Sequence, residues 1–329
     1  MKDYSNIYTG TKILKHLDKI YSFAKTGFIY PVTVEIDLTN ACDQHCLRCT
    51  SNQERTHYLS EDQAMQIIDS LVTAGVKGIK LVGGGEPTLS PILGDVVEYA
   101  VKNGLAVGMI TNGKYLPNHK QRSLLMCDWI RISLDAHDQK SYSISHGDNC
   151  FNKVVENIRT LTQERSHEKC TIGIAILYDD FIVPGDAVKI AEYIGADYIL
   201  FRPYNDHREP FKRDYDLLKI LKSDSTSVLV SEFKKDETRN YDICYGSWFT
   251  SVIGADLKVY NCCHYRNSPK NIIGDLNKEW FNKIWRKDNI ERVLSNIDVT
   301  QCPICCYHNS NNNLLHIILK EDIPHKNVL

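Results

Sequence analysis

Eight residues, Cys42-Asp43-Gln44-His45-Cys46-Leu47-Arg48-Cys49, carry three thiols in the spacing C-x3-C-x2-C. Three thiolates hold three irons of a cubane 4Fe–4S cluster and leave the fourth iron open to a small ligand, whereas four would close it. A structural zinc asks for four closed ligands, and the nearby His45 sits inside the cysteine spacing. Disulfides need an oxidising compartment, but the N-terminal MKDYSN shows no basic-then-apolar signal, so the expected location is cytoplasmic. Buried free thiols are a third reading, and Asp43, Gln44 and Arg48 make a poor core segment for them. An open iron–sulfur cluster is the chemistry these residues favour.

A second cysteine set lies in the last third of the chain. Cys244 precedes Cys262 by eighteen residues, Cys263 follows at once, and Cys302-Pro303-Ile304-Cys305-Cys306 supplies a C-x2-C. Thr250 to Ile253 and Lys258 to Tyr260 read as two short strands around Gly254-Ala255-Asp256. Two cysteines on such a hairpin plus a distant C-x2-C close one metal centre, with Cys244, Cys262, Cys302 and Cys305 as expected ligands and the neighbouring Cys263 and Cys306 as alternatives to Cys262 and Cys305. Too few thiols remain for two clusters, and a zinc ion on four thiolates is the alternative. Cys127, Cys150 and Cys170 stand apart and read as packing thiols.

The elements that must position these thiols follow from periodicity. Residues from about Thr9 to Thr26 form an amphipathic helix. Six strands are expected, at Thr33 to Thr39, Gly78 to Val82, Ala106 to Ile110, Trp129 to Asp135, Thr171 to Leu177 and Tyr198 to Phe201. Helices separate them. Ser60 and Gln63 form a capping box, Ser90-Pro91 opens a helix closed by Gly104, Asn152 caps another, and Gly195 stops the helix from Pro184. Apolar strands alternating with amphipathic helices make a parallel sheet with right-handed crossovers. The expected fold class is α/β, a partial (β/α)6 barrel with a small cysteine-rich extension. The expected divisions are 1–30 (helical segment), 31–210 (barrel) and 211–329 (linker helix and extension). A net charge of −2 without a long basic run argues against nucleic acid or an anionic membrane surface as partner. No apolar stretch is long enough to span a bilayer.

Each suggestive motif follows a strand, at the carboxyl-end rim where parallel α/β folds build sites. Gly83-Gly84-Gly85-Glu86-Pro87 follows the second strand, and Thr111-Asn112-Gly113 the third. Arg131, Ser133 and Asp135 share one face of the fourth strand. Glu35 and Asp37 share a face of the first, as substrate ligands or ordinary ion pairs. In this order the cysteine loop, Gly84-Gly85-Glu86-Pro87 and the polar fourth strand resemble the radical S-adenosylmethionine (SAM) enzymes. The resemblance implies a SAM-binding 4Fe–4S cluster on Cys42, Cys46 and Cys49. It implies SAM contacts from Gly84, Gly85, Glu86 and Pro87, with Glu86 on the amino group, and from Asn112, Ser133 and Asp135. It also implies an outside electron donor of the flavodoxin or ferredoxin type. Arg48 departs from the family, which usually has an aromatic residue there. The C-terminal cysteines resemble the SPASM/Twitch extensions, which implies an auxiliary 4Fe–4S cluster. The Twitch form is closer, with Leu257 where a glycine is usual.

The resemblance leaves the outcome of hydrogen abstraction divided. Loss of an electron to the auxiliary cluster gives oxidation, expected at a carbinol of a sugar- or aminocyclitol-type small molecule. Return of a hydrogen from a thiol inverts the centre, and Cys263 is the candidate donor. That role rests on the expectation that adjacent residues Cys262 and Cys263 point to opposite faces of a strand. A ribosomal peptide is the alternative substrate. A non-enzymatic zinc or iron–sulfur scaffold is the alternative of another class.

Overall fold

The structure is a computed structural model, and it describes residues 4, 10–49, 51, 57–116, 121–165, 170–202, 216–231, 239, 241–302 and 306–320. Seven parallel strands lie side by side in chain order. They are β1 (Thr33–Ile36), β2 (Gly78–Leu81), β3 (Ala106–Thr111), β4 (Trp129–Ser133), β5 (Thr171–Leu177), β6 (Tyr198–Arg202) and β7 (Ser227–Val230). Helix α1 (Leu17–Thr26) precedes β1, and α2 (Glu61–Thr73), α3 (Leu93–Lys102) and α4 (Gln121–Leu124) follow the first three strands in turn. Helices α5 (Gln139–His146) and α6 (Phe151–Glu164) follow β4, α7 (Pro184–Ile194) follows β5, and α8 (Asp216–Lys219) follows β6. Val34, Ile36, Ile79, Leu81, Ile130 and Ile132 are buried, as strands covered by helices require.

The sheet does not close. It continues past β1 with β8 (Thr250–Ile253), parallel to it, and then with the antiparallel β9 (Lys258–Tyr260) and β10 (Ile272–Asp275). The C-terminal region is therefore hydrogen-bonded onto the first strand of the parallel sheet. Strand β7 lies beyond the six expected. Its four residues are all half-buried at the sheet's edge, too short a run for a periodic signal.

Local signals hold where side chains cap backbone groups. Ser60 Oγ accepts from Gln63 N at 3.2 Å and Gln63 Oε1 accepts from Ser60 N at 2.9 Å, the reciprocal box expected at the start of α2. Two starts differ from expectation. Pro87–Leu89 forms a single 3-10 turn, Ser90 N closes it on Pro87 O, and α3 begins only at Leu93. Asn152 lies inside α6, whose cap is Cys150. The first helix divides into a 3-10 stretch, Gly10–His16, and α1.

Helices α9 (Phe281–Ile284), α10 (Lys287–Leu294) and α11 (Cys306–Leu319) complete the described elements. Fully buried Trp285 donates its indole N–H to Ile29 O at 2.8 Å, and Phe23 packs on Trp248 at 5.3 Å, so the N-terminal helix is clamped by C-terminal aromatics. Leu257 sits at φ 62 in the β8–β9 turn, the left-handed conformation that glycine adopts without strain.

Candidate active site

The cysteine loop leaves the carboxyl end of β1 and is held on three sides. His45 N donates to His146 O at 3.1 Å and Leu47 N to Ser145 O at 2.9 Å, docking it on the end of α5. Glu86 N donates to Ala41 O at 2.8 Å, docking it on the glycine turn. Asn112 Nδ2 donates to Asp43 Oδ1 at 3.0 Å, and Lys114 pairs with Asp43 at 2.9 Å and Asp148 at 2.7 Å. Burial works against the Lys114 charge, but the bonds to Asp148 and Asp43 raise its pKa overall. Cys42 and Cys46 are half-buried and Cys49 is exposed, so the thiols stand at an open surface of the loop.

The surroundings of these thiols fit a cationic cluster. Burial, the Asp135 carboxylate and the thiols of Cys49 and Cys42 all push the Cys46 thiol upward. Three thiols that oppose one another's ionisation become compatible as thiolates only around positive charge. Cys46 Sγ lies 3.2 Å from His146 Nδ1, and His146 Nε2 lies 3.0 Å from Leu134 O. A carbonyl only accepts, so Nε2 carries the proton and Nδ1 accepts from the Cys46 thiol. The His146 ring is buried, which lowers its pKa, and stacks on Tyr142 at 4.3 Å. Arg48 donates to Asp179 Oδ2 at 3.3 and 3.1 Å, which ties this non-aromatic position to the turn after β5.

The glycine turn after β2 packs directly on the loop. A Cβ at Gly85 would stand 2.0 Å from Ala41 O, so only glycine allows this approach. Glu86 is 4% exposed, and both of its carboxylate oxygens accept hydrogen bonds, three on Oε1 and one on Oε2. Oε1 accepts from Thr88 N (3.0 Å), Thr88 Oγ1 (2.7 Å) and Thr111 Oγ1 (2.6 Å), and Oε2 from Asn112 N (2.7 Å). Burial pushes its carboxyl upward against the pull of these bonds. Glu86 thus joins the turns after β2 and β3, and Pro87 begins the 3-10 turn behind it. Gly83 O accepts from Ser51 Oγ at 3.2 Å, a further link between loop and turn.

At the end of β4, Ser133 is half-buried, and Asp135 adopts φ 44 with its Oδ1 accepting from Leu177 N at 2.6 Å. The loop cysteines, Gly84 to Pro87, Asn112, Ser133 and Asp135 therefore belong to neighbouring ends of β1 to β4, and Asp135 ties them to β5. Glu35 and Asp37 resolve as ion pairs. Arg266, from the C-terminal region, donates to Glu35 Oε2 at 2.6 Å and to Asp37 Oδ2 at 2.9 Å, and Lys80 pairs with Glu35 as well. Burial raises the Asp37 carboxyl to about 6, with Arg266 pulling the other way.

The second cysteine set is brought together by tertiary structure. Cys244, Cys262 and Cys302 line one pocket with Tyr241, Tyr265, His308 and Asn312. Ser247 Oγ donates to Cys244 Sγ at 3.3 Å, Asn312 Nδ2 donates to the same sulfur at 3.4 Å, and Tyr265 Oη lies 3.3 Å from Cys302 Sγ. Polar donors aimed at sulfur suit thiolate ligands of a metal centre. Cys305 lies outside the described residues, as does the side chain of Cys306.

Cys263 departs from the sequence-based geometry. Strand β9 ends at Tyr260, Cys262 caps a 3-10 turn and Cys263 opens it, so the alternation of a strand no longer applies. The ligand atoms of Cys262, Cys263 and His308 all lie within 4.8 Å of one another, so the two thiols converge instead of facing apart. Their mutual hydrogen bond leaves the proton on Cys262 and draws the Cys263 thiol down. Sequence reasoning passed over His308, Asn312, Arg266 and His146. No spacing marks them, because each meets its partner across a long stretch of chain. Cys127 and Cys170 are buried packing thiols, and half-buried Cys150 donates to Tyr142 Oη at 3.5 Å.

Residues 36–182 match the family described as the Radical SAM superfamily. The chain is 30% identical over 139 residues to the mycofactocin maturase MftC of Mycobacterium tuberculosis, covering 41% of this chain and 35% of that protein. It is 27% identical over 173 residues to the PqqA peptide cyclase of Streptomyces rochei, covering 51% of this chain and 47% of that protein. The matched stretch thus spans a third to a half of the length of these curated relatives. The crystal structure of Streptococcus suis SuiB bound to S-adenosylmethionine superposes with a TM-score of 0.66 at 13% identity, covering 86% of this chain and 72% of that one. That likeness concerns the fold.

Proposed function

We propose, from the premise that residues 36–182 are a radical SAM domain, that this chain oxidises a substrate by two electrons after abstracting one of its hydrogen atoms. A 4Fe–4S cluster on Cys42, Cys46 and Cys49 would bind SAM at its open iron and supply the electron that generates a 5′-deoxyadenosyl radical. The residues around it hold the loop. Glu86 locks the turns after β2 and β3, leaving the backbone of Gly84 and Gly85 to meet the SAM amino group together with the Glu86 side chain. Asn112 and Lys114 fix Asp43, Asp135 holds the β4 and β5 ends together, and Ser133 at the same rim is a further candidate contact to SAM.

One observation carries the choice of oxidation. Thiols of three distant segments, Cys244, Cys262 and Cys302, meet in one pocket, in a region whose Arg266 reaches the β1 rim. These thiols would hold a second cluster that could take up the electron lost by a substrate radical, the proton going to a base. The convergence of Cys263 with Cys262 and His308 speaks against Cys263 as a separate hydrogen donor for inversion. The substrate reading is a carbinol of a sugar- or aminocyclitol-type molecule. A second reading, a ribosomal peptide, is favoured by the curated relatives called a maturase and a peptide cyclase.

The test is anaerobic reconstitution followed by reduction with dithionite and SAM. Release of 5′-deoxyadenosine supports the reading, and its absence from a protein loaded with iron and sulfide overturns it. With candidate substrates in deuterated water, oxidation gives a product two hydrogens lighter and no solvent deuterium at the reacting carbon. Incorporation of deuterium with unchanged mass otherwise points to inversion.

A further inference from the structure

We propose that His308 supplies an imidazole nitrogen to the C-terminal metal centre, which therefore has a mixed cysteine–histidine ligand set instead of four cysteines. This rests on the reading that those thiols hold an iron–sulfur centre. His308 is 8% exposed and stands on α11, outside every cysteine motif of the sequence.

The first argument is distance. The ligand atoms of His308, Cys262 and Cys263 are within 4.8 Å of one another, although the two cysteines and the histidine come from separate segments. His308 also lines the pocket of Cys244, Cys262 and Cys302, so three thiols and one imidazole face one cavity, the number of protein ligands that a cubane cluster takes, one on each iron. Imidazole and thiolate occur together on iron–sulfur centres, where histidines replace two cysteines on one iron.

The second argument is that the fold prepares a place for the ring. A Cβ at Gly246 would lie 2.8 Å from His308 Nδ1, so a larger residue there displaces the imidazole. One turn further along α11, Asn312 accepts from Gly246 N at 2.6 Å and donates to Cys244 Sγ at 3.4 Å. Beside it, Asn309 accepts from Tyr241 Oη at 2.7 Å. Positions 308 and 312 share a helix face, so one face of α11 carries His308 toward Cys262 and Cys263 and a second polar side chain toward Cys244. A helix pinned by these bonds holds its imidazole as a rigid ligand and not as a passing neighbour.

The experiment uses the full chain with Cys42, Cys46 and Cys49 changed to Ala, so that only the C-terminal centre remains. The protein is grown with 15N-histidine, reconstituted anaerobically with iron and sulfide, reduced and examined by pulsed EPR. The expected result is a strong nitrogen hyperfine coupling that changes with the 15N label and vanishes in His308→Cys. That variant should keep its iron and sulfide and shift its midpoint potential to more negative values, because thiolate donates more charge than imidazole. A reduced centre with no histidine-nitrogen coupling, or with a potential that His308→Cys leaves unmoved, overturns the proposal and assigns the position to a cysteine. If the triple variant binds no iron–sulfur centre, the auxiliary-cluster reading and the histidine ligand fall together. The SAM-cleaving loop is judged separately, by 5′-deoxyadenosine release from the wild-type protein.

Discussion

The two cysteine regions solve opposite problems. The first places three thiols within eight residues on one loop, held by backbone bonds to α5 and to the turn before Pro87, with Cys49 exposed. The second gathers Cys244, Cys262 and Cys302 from segments up to fifty-eight residues apart and surrounds their sulfurs with Ser247, Asn312 and Tyr265. The first set stands on an open loop with one thiol exposed, whereas the thiols of the second are all half-buried and have polar side chains around them. The first can be tied down by a few neighbours, but the second depends on how the whole C-terminal region docks on β1.

The comparison predicts effects of different size and kind. The largest is expected from changing Cys42, Cys46 and Cys49 together to Ala. Formation of 5′-deoxyadenosine under dithionite should become undetectable while C-terminal iron, measured by chemical analysis, stays bound. If cleavage persists, the division of labour between the two regions is wrong.

The joint between them is next. Arg266→Met leaves Glu35 and Asp37 buried without their guanidinium, a loss of about 3–5 kcal/mol in stability. The loss should depend on pH. Burial raises Asp37 to about 6 in the fold, so its ionisation opposes folding, and stability falls as pH rises from about 4 through about 6. Without Arg266 the Asp37 pKa rises further, and the decline should extend to higher pH. Urea unfolding of both proteins across about pH 5 to 8 measures this. Parallel curves would mean that Arg266 does not govern the acidic pair.

Glu86→Gln probes the opening side of the comparison. The amide keeps an oxygen for the three donors at Oε1 but sets its NH2 against Asn112 N at the Oε2 position, at a cost of about 1.5–3 kcal/mol for the charged hydrogen bond lost. Stability and SAM affinity should both drop with the cluster content near normal. Weaker SAM binding without a change in urea midpoint would make Glu86 a ligand alone, not a joint between turns.

The smallest effect is expected at the second set. Tyr265→Phe removes the hydroxyl 3.3 Å from Cys302 Sγ. Iron content should not change, and the auxiliary potential should move to more negative values, since fewer hydrogen bonds reach the sulfur. A redox titration followed by EPR reads this, and an unmoved potential would exclude Tyr265 from the cluster's surroundings.

The sequence by itself determined whatever rests on short-range spacing. C-x3-C-x2-C, the Ser60–Gln63 box and the turn around Gly85 are local, because a loop, a cap and a glycine turn each involve only a few consecutive residues. Six of the strands β1 to β7 were legible for the same reason, since burial on one or both faces writes a period into the chain. Only the tertiary structure decided where β7 and β8 extend the sheet, that Arg266 meets Glu35 and Asp37, and that Glu86 joins two turns. It alone brought His308 to Cys262 and Cys263 and turned those neighbouring thiols toward each other. These contacts join residues far apart in the chain, and the energy that forms them comes from docking whole elements. No local run of residues has to record it.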